Sequence, residues 1–130
     1  MFGIAEIARK HGYRVKCAYP VTVSNKNIKN SEDGIRIGSY NSRRINVMLG
    51  RITGLNGWFS HLETYLLIKK LNKFKPDIIQ LHNLHESYIN LSMLFDYINK
   101  NQINVFWTLH DCWAFTGHCV YFDYVSCDKW

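Results

Sequence analysis

Three histidines stand directly behind runs of apolar residues. Asp77-Ile78-Ile79-Gln80-Leu81 passes into His82-Asn83-Leu84-His85, and the run from Ile103 to Leu109 passes into His110-Asp111-Cys112-Trp113. An imidazole titrates near neutral pH, so a histidine can move a proton there, and it can donate to a phosphate or a sugar hydroxyl. Each one taken alone is as well explained by packing or capping; three at strand ends together point to a site. His82 and His85 lie three apart, a spacing that on a loop could also chelate a metal. The cysteines give that reading little support, because the gap between Cys119 and Cys127 is unlike the C-x2-C of common zinc sites. No metal is expected. No basic leader or small-residue cleavage site follows Met1, so Cys17, Cys112, Cys119 and Cys127 are read as thiols or ligands rather than disulfides.

The elements around these residues alternate. Residues 2–11 predict a helix with Ile4, Ile7 and Ala8 on one face, cations in the last turn and Gly12 as its stop. Residues 13–19 predict a strand closed by Pro20, residues 24–34 a polar loop, and Ile35-Arg36-Ile37 a short strand. Ile45, Met48, Leu49 and Ile52 recur at helical spacing. Ser60-His61-Leu62-Glu63 has the spacing of a capping box, followed by a helix to residue 74 with Leu62, Tyr65, Leu66, Ile68, Leu71 and Phe74 as its apolar face. Residues 77–82 and 103–109 predict buried parallel strands, with a helix over 88–100 between them. This alternation predicts an α/β protein whose parallel sheet is covered by helices. Ligands of such sheets bind beyond the carboxyl ends of the strands, which places His82, His85 and His110 along one edge.

The chain has 130 residues, the size of one domain, and is 47% hydrophobic and 20% charged, which excludes a disordered or collagen-like polymer. No apolar run is long enough for a membrane span. The net charge of +6 is uneven: residues 1–57 carry ten Lys or Arg against three Asp or Glu, and the remainder is close to balanced. A basic half suits an anionic partner or a solvated face. Residues 43–59 mix Arg43, Arg44 and Arg51 with Ile45, Met48, Leu49, Ile52, Leu55, Trp58 and Phe59. Such a segment can lie on an anionic membrane surface, although an amphipathic helix packed on the sheet is the plainer expectation. No nucleic-acid-binding motif is present, and none is expected as a partner.

Two segments, PDIIQLHNLH and WTLHDCWAFTGHC, resemble the N-terminal domain of family 4 retaining glycosyltransferases, in the branch that builds colanic acid, capsule and other bacterial surface polysaccharides. Weaker similarity extends through SHLETYLLIKKL to IAEIARKHGYRVKCAYP. The resemblance implies the N-terminal half of a GT-B fold, a Rossmann-like parallel sheet that binds the acceptor, with nucleotide-sugar binding assigned to a second domain. It implies a role for His110 at the donor sugar, and a substrate-binding role for His82, Asn83, His85 and Asp111. It implies no metal and no cofactor beyond the nucleotide sugar, and a glycan or lipid-linked acceptor. The expected location is cytoplasmic, with peripheral contact on the inner face of the plasma membrane through Arg43–Phe59.

Members of that family begin with a strand and a glycine-rich loop ahead of the first helix, and continue into a donor domain carrying a Glu-x7-Glu motif. By that comparison residues 1–130 are expected to be a partial domain, truncated at both ends, lacking the first strand and the donor domain, and inactive alone. Two further cysteines in relatives would complete a zinc knot with Cys119 and Cys127; buried thiols are the preferred reading. The alternative to a transferase part is a non-catalytic α/β module that uses its basic N-terminal half for an anionic partner.

Overall fold

The predicted alternation is realised in the order α1 (Phe2–Lys10), β1 (Cys17–Pro20), β2 (Gly34–Ile37), α2 (Tyr40–Thr53), α3 (His61–Phe74), β3 (Ile78–His82), α4 (Leu91–Lys100), β4 (Asn104–Thr108) and α5 (Trp113–Thr116). The computed structural model describes residues 2–25, 33–55, 57–85, 87–116 and 121. Cys119 and Cys127 lie outside the described residues, as does most of the expected polar loop.

The strands pair in parallel, as expected, but as two separate pairs rather than one sheet: β1 with β2, and β3 with β4. Register runs from Cys17 opposite Gly34 to Pro20 opposite Ile37, and from Ile78 opposite Asn104 to His82 opposite Thr108. The first strand is shorter than its sequence pattern. Residues 13–16 stay outside it, and Pro20 is its last residue rather than the residue that closes it. The pairs share one core. Ile35 and Ile37 of β2, Leu67 of α3, Leu81 of β3, Leu94, Tyr97 and Ile98 of α4, and Trp113 of α5 are buried together. Helix α3 packs on both β2 and α4. The expectation of fully buried strands fails for β3 and β4, where Ile78, Gln80 and Phe106 are exposed and one face carries the packing.

The helix ends show where local signals lose to tertiary ones. Ser60 does not form the expected capping box. It sits in the left-handed region at φ 67° and makes no side-chain cap. Its hydroxyl instead donates to the Ser87 carbonyl at 2.7 Å and accepts from Asn46 Nδ2 at 2.7 Å. The capping box is at α2: the Ser42 amide donates to Ser39 Oγ at 3.1 Å, and the Ser39 amide donates to Ser42 Oγ at 3.0 Å. The predicted apolar face of α3 holds only in part. Leu62, Tyr65 and Leu66 are exposed, while Thr64 and Leu67 are buried.

Helix α4 starts later than predicted, at Leu91, because Asn90 is its cap. Asn90 Oδ1 accepts from the Met93 amide at 2.9 Å. Asn90 is also among the most buried side chains of the protein, at 1% exposure, and its Nδ2 donates to the Trp58 carbonyl. Its amide donates to Thr64 Oγ1 at 2.7 Å, and that hydroxyl donates to the Ser60 carbonyl at 2.8 Å. Asn90→Ala removes a cap and takes from the Trp58 carbonyl its side-chain donor. The expected loss in urea denaturation is about 2–3 kcal/mol. A loss below about 0.5 kcal/mol, the size of an ordinary surface change, would show that this residue does not organise the fold.

Candidate functional site

Parallel pairing makes the chain leave β3 and β4 at the same edge. His82 is the last residue of β3 and stands opposite Thr108, the last residue of β4. Two residues beyond Thr108, His110 turns back to His82. His82 Nδ1 and His110 Nε2 are 2.9 Å apart, and the rings tilt at 32° with centroids 5.2 Å apart. A hydrogen bond between two imidazoles needs one lone pair, so at least one ring must be neutral in this arrangement. Burial lowers the pKa of His82 below the ordinary 6.5, and the neighbouring His110 acts in the same direction.

The second contact across the edge joins an imidazole to a carboxylate. His85 Nε2 lies 3.1 Å from Asp111 Oδ2, with 24% of the His85 side chain and 11% of the Asp111 side chain exposed. The other carboxylate oxygen accepts from the Trp113 amide at 3.0 Å, at the start of α5. One carboxylate thus caps the last short helix and orients an imidazole. The His85 ring also meets the Trp113 ring, with centroids 6.1 Å apart. Because a carboxylate only accepts, Nε2 of His85 carries the proton and Nδ1 of a neutral ring keeps its lone pair.

Asn83 follows His82 at φ 35°, a left-handed conformation that turns the chain out of the strand. Its side chain is exposed, and its carbonyl accepts from the Tyr88 hydroxyl at 3.0 Å. Asn83, His85, Thr108, His110, Asp111 and Trp113 line one hollow of about 10 Å³, room for a single water molecule. A ligand larger than water would therefore rest on this edge rather than enter it.

All five residues singled out from the sequence, His82, Asn83, His85, His110 and Asp111, meet at this edge. Gln80, Thr108, Tyr88 and Trp113 escaped the sequence reading. Gln80 Nε2 donates to Thr108 Oγ1 at 3.1 Å across the strand pair. Its position two residues before His82, on the exposed face of a strand, is the signal that marks it. Among the described residues no group of three or more His, Cys, Asp or Glu is gathered closely enough to hold a metal ion. Nor is any described helix long and apolar enough to cross a membrane.

The chain is similar to the "Putative colanic acid biosynthesis glycosyl transferase WcaC" of Escherichia coli (strain K12). The two are 32% identical over 60 residues, a stretch that covers 42% of this chain and 14% of that protein. The chain is thus related to a glycosyltransferase over part of its own length and a small part of the relative's. No family model matches, and no solved structure matches.

The histidine pair predicts a pH dependence. The folded protein holds the His82 proton less tightly than the unfolded chain does, where the value is near 6.5. Above that value both states are neutral at this position and it contributes nothing. As pH falls through 6.5 toward the lower folded value, the unfolded state binds more protons and stability declines. The melting temperature is expected to drop between about pH 7.5 and about pH 5, and to drop less in His82→Asn. An identical decline in both proteins would show that His82 is not strained by protonation.

Proposed function

We propose that this chain is the acceptor-side part of a retaining glycosyltransferase of the family 4, GT-B kind. The reaction moves a sugar from a nucleotide-sugar donor to a hydroxyl of a glycan or lipid-linked acceptor in surface polysaccharide synthesis. The observation that carries the reading is the convergence of His82, His85, His110 and Asp111 at the carboxyl edge of a parallel strand pair. That edge is where open α/β folds take their ligands. The partial relationship to a glycosyltransferase gives the convergence its chemistry.

In sugar transfer the bond from the anomeric carbon to the donor phosphate oxygen breaks, a bond to the acceptor oxygen forms, and the acceptor hydroxyl loses its proton. The leaving phosphate gains negative charge while the sugar ring becomes electron-poor. His110 is exposed at the edge and already shares a hydrogen bond with His82. Its role is to position the sugar and stabilise developing charge rather than to attack. His85, held through Nε2 by Asp111, presents Nδ1 as an acceptor for a sugar hydroxyl. Asn83 supplies an amide, with both donor and acceptor, on the exposed turn between them. The shallow hollow suits a surface on which an acceptor is laid.

Histidine side-chain NMR tests this directly. Titration with short oligosaccharides and lipid-phosphate-linked sugars is expected to shift the His85 and His110 ring signals. His110→Ala is expected to weaken that binding, and wherever transfer is measured it should lower kcat about ten-fold or more. Glycans that leave all ring signals unmoved would overturn the reading, as would binding indifferent to His110→Ala.

A further inference from the structure

The chelate that spacing suggested, His82 with His85, is not the pair the structure brings together. Nε2 of His85 is turned to Asp111 Oδ2, 3.1 Å away. The imidazoles that converge are His82 and His110, 28 residues apart in the chain, with Nδ1 of the first 2.9 Å from Nε2 of the second. Strand register makes this meeting, since His82 stands opposite Thr108 and His110 follows two residues later. The pair is open to solvent, so an ion reaches it without crossing the core.

Two imidazole nitrogens bound to one zinc-like ion each lie about 2.0–2.1 Å from it. They then stand roughly 2.9 Å apart if the angle at the metal is a right angle, and roughly 3.4 Å apart if it is tetrahedral. The observed 2.9 Å equals the first separation and falls about 0.5 Å short of the second. Rotation of an exposed ring covers that difference. The rings tilt at 32° with centroids 5.2 Å apart, which sets them edge to edge rather than stacked, and both inner nitrogens face the same gap.

A single proton holds that gap in the hydrogen-bonded pair. A neutral imidazole carries its proton on either nitrogen. When the donor ring carries it on the outer nitrogen, both inner nitrogens present lone pairs to the same point. The outer N–H groups are then those of His82 Nε2 and His110 Nδ1. Neither ring has to lose a net proton, as a thiol ligand would.

The donor atoms select the ion. Magnesium and calcium take oxygen ligands, whereas imidazole suits zinc, copper and nickel. Asp111, next in the chain to His110 and lining the same hollow, places a carboxylate at this edge, which favours a cation. Among the described residues no group of three such ligands is gathered, so the protein supplies two and water takes the other positions.

We propose that His82 Nδ1 and His110 Nε2 form a two-ligand site for a divalent transition-metal ion of the zinc and copper class. The site stands on the two imidazoles and does not rest on the transfer reaction, so binding is read with the metal and no sugar.

The test is titration of the purified chain with zinc chloride at neutral pH, followed by calorimetry and by histidine ring NMR. Zn²⁺ is expected to bind and to move the His82 and His110 ring signals, while an equal concentration of Mg²⁺ moves neither. Loss of an outer-shell partner weakens metal binding about 10–100-fold, so His82→Ala and His110→Ala, which remove a ligand outright, should each weaken it at least about ten-fold. His61→Ala, at the exposed start of α3, should leave binding unchanged, and so should Cys119→Ser combined with Cys127→Ser. Circular dichroism checks that the variants fold, and the ring signals of the unaltered chain need no variant. Absence of zinc binding, equal binding of Mg²⁺, or ring shifts confined to other histidines would overturn the site. So would binding that survives His110→Ala and is lost with the two cysteines, which assigns the ion to thiols.

Discussion

Four small polar side chains hold the irregular parts of this protein against its helices. Among the described residues Thr64, Ser87 and Asn90 are the largest fully buried side chains, and Ser60 is nearly as buried. Segments 57–60 and 87–90 have no ladder to satisfy their backbone groups, yet most of their residues are buried. Buried backbone groups must find partners. Here the Ser87 carbonyl takes the Ser60 hydroxyl, the Trp58 carbonyl takes the Asn90 amide group, the Asn90 N–H takes Thr64, and the Leu91 N–H takes the Gly57 carbonyl at 2.9 Å. Gly57 permits that last approach. It sits at φ 82°, and a Cβ there would lie 2.8 Å from Leu91 Cδ1. A network of this kind is stable only when complete, because each missing member leaves another polar group without a partner in a low-dielectric interior. The left-handed backbone at Ser60 and Ser87 is held in place by these bonds.

The strand register then decides what the edge contains. With His82 opposite Thr108, two residues of extension suffice for His110 to reach His82, and one more brings Asp111 to His85. A shift of one residue in the pair would turn every side chain of one strand to the other face and separate these partners. Leu81, buried in the shared core, resists that shift. Asp111 is the most constrained of the four site groups, since its two oxygens serve α5 and His85 at once. Losing it would free the imidazole and uncap the helix together. His82 and His110 constrain each other differently, through a shared hydrogen bond that admits no second proton between the rings.

The parts legible in the sequence are those whose signal is long or obeys a fold-level rule. The strands at 77–82 and 103–109 and the helices near 2–11, 60–74 and 88–100 are read from periodicity and found within a few residues. The histidine edge follows from parallel pairing alone. What the sequence did not reveal is decided by distant neighbours. Ser60-x-x-Glu63 has a cap's spacing, but Ser87, 27 positions away, captures the hydroxyl, and the Glu63 side chain lies against Gly38. Ser39 with Ser42 forms the reciprocal cap without the acid that marks such boxes. The predicted face of α3 holds only in part: Ile68 and Leu71 pack on the core, Leu62, Tyr65 and Leu66 stay exposed, and the buried threonine at position 64 carries no hydrophobic signal. The expected single sheet depends on strand partners, and pairing across long separations leaves no mark in a local pattern.

The polar network also ties α2 to the segment that follows the histidine edge. Asn46 of α2 donates to Ser60, and Ser60 donates to the Ser87 carbonyl, two residues beyond His85. Both bonds measure 2.7 Å, and the Ser60 to Ser87 bond is buried. A helix that rolled or tilted would have to break this relay or carry Ser87 with it. Breaking either link would cost a hydrogen bond, about 0.5–1.5 kcal/mol. The relay therefore favours movement of α2 and the segment 87–90 as one body.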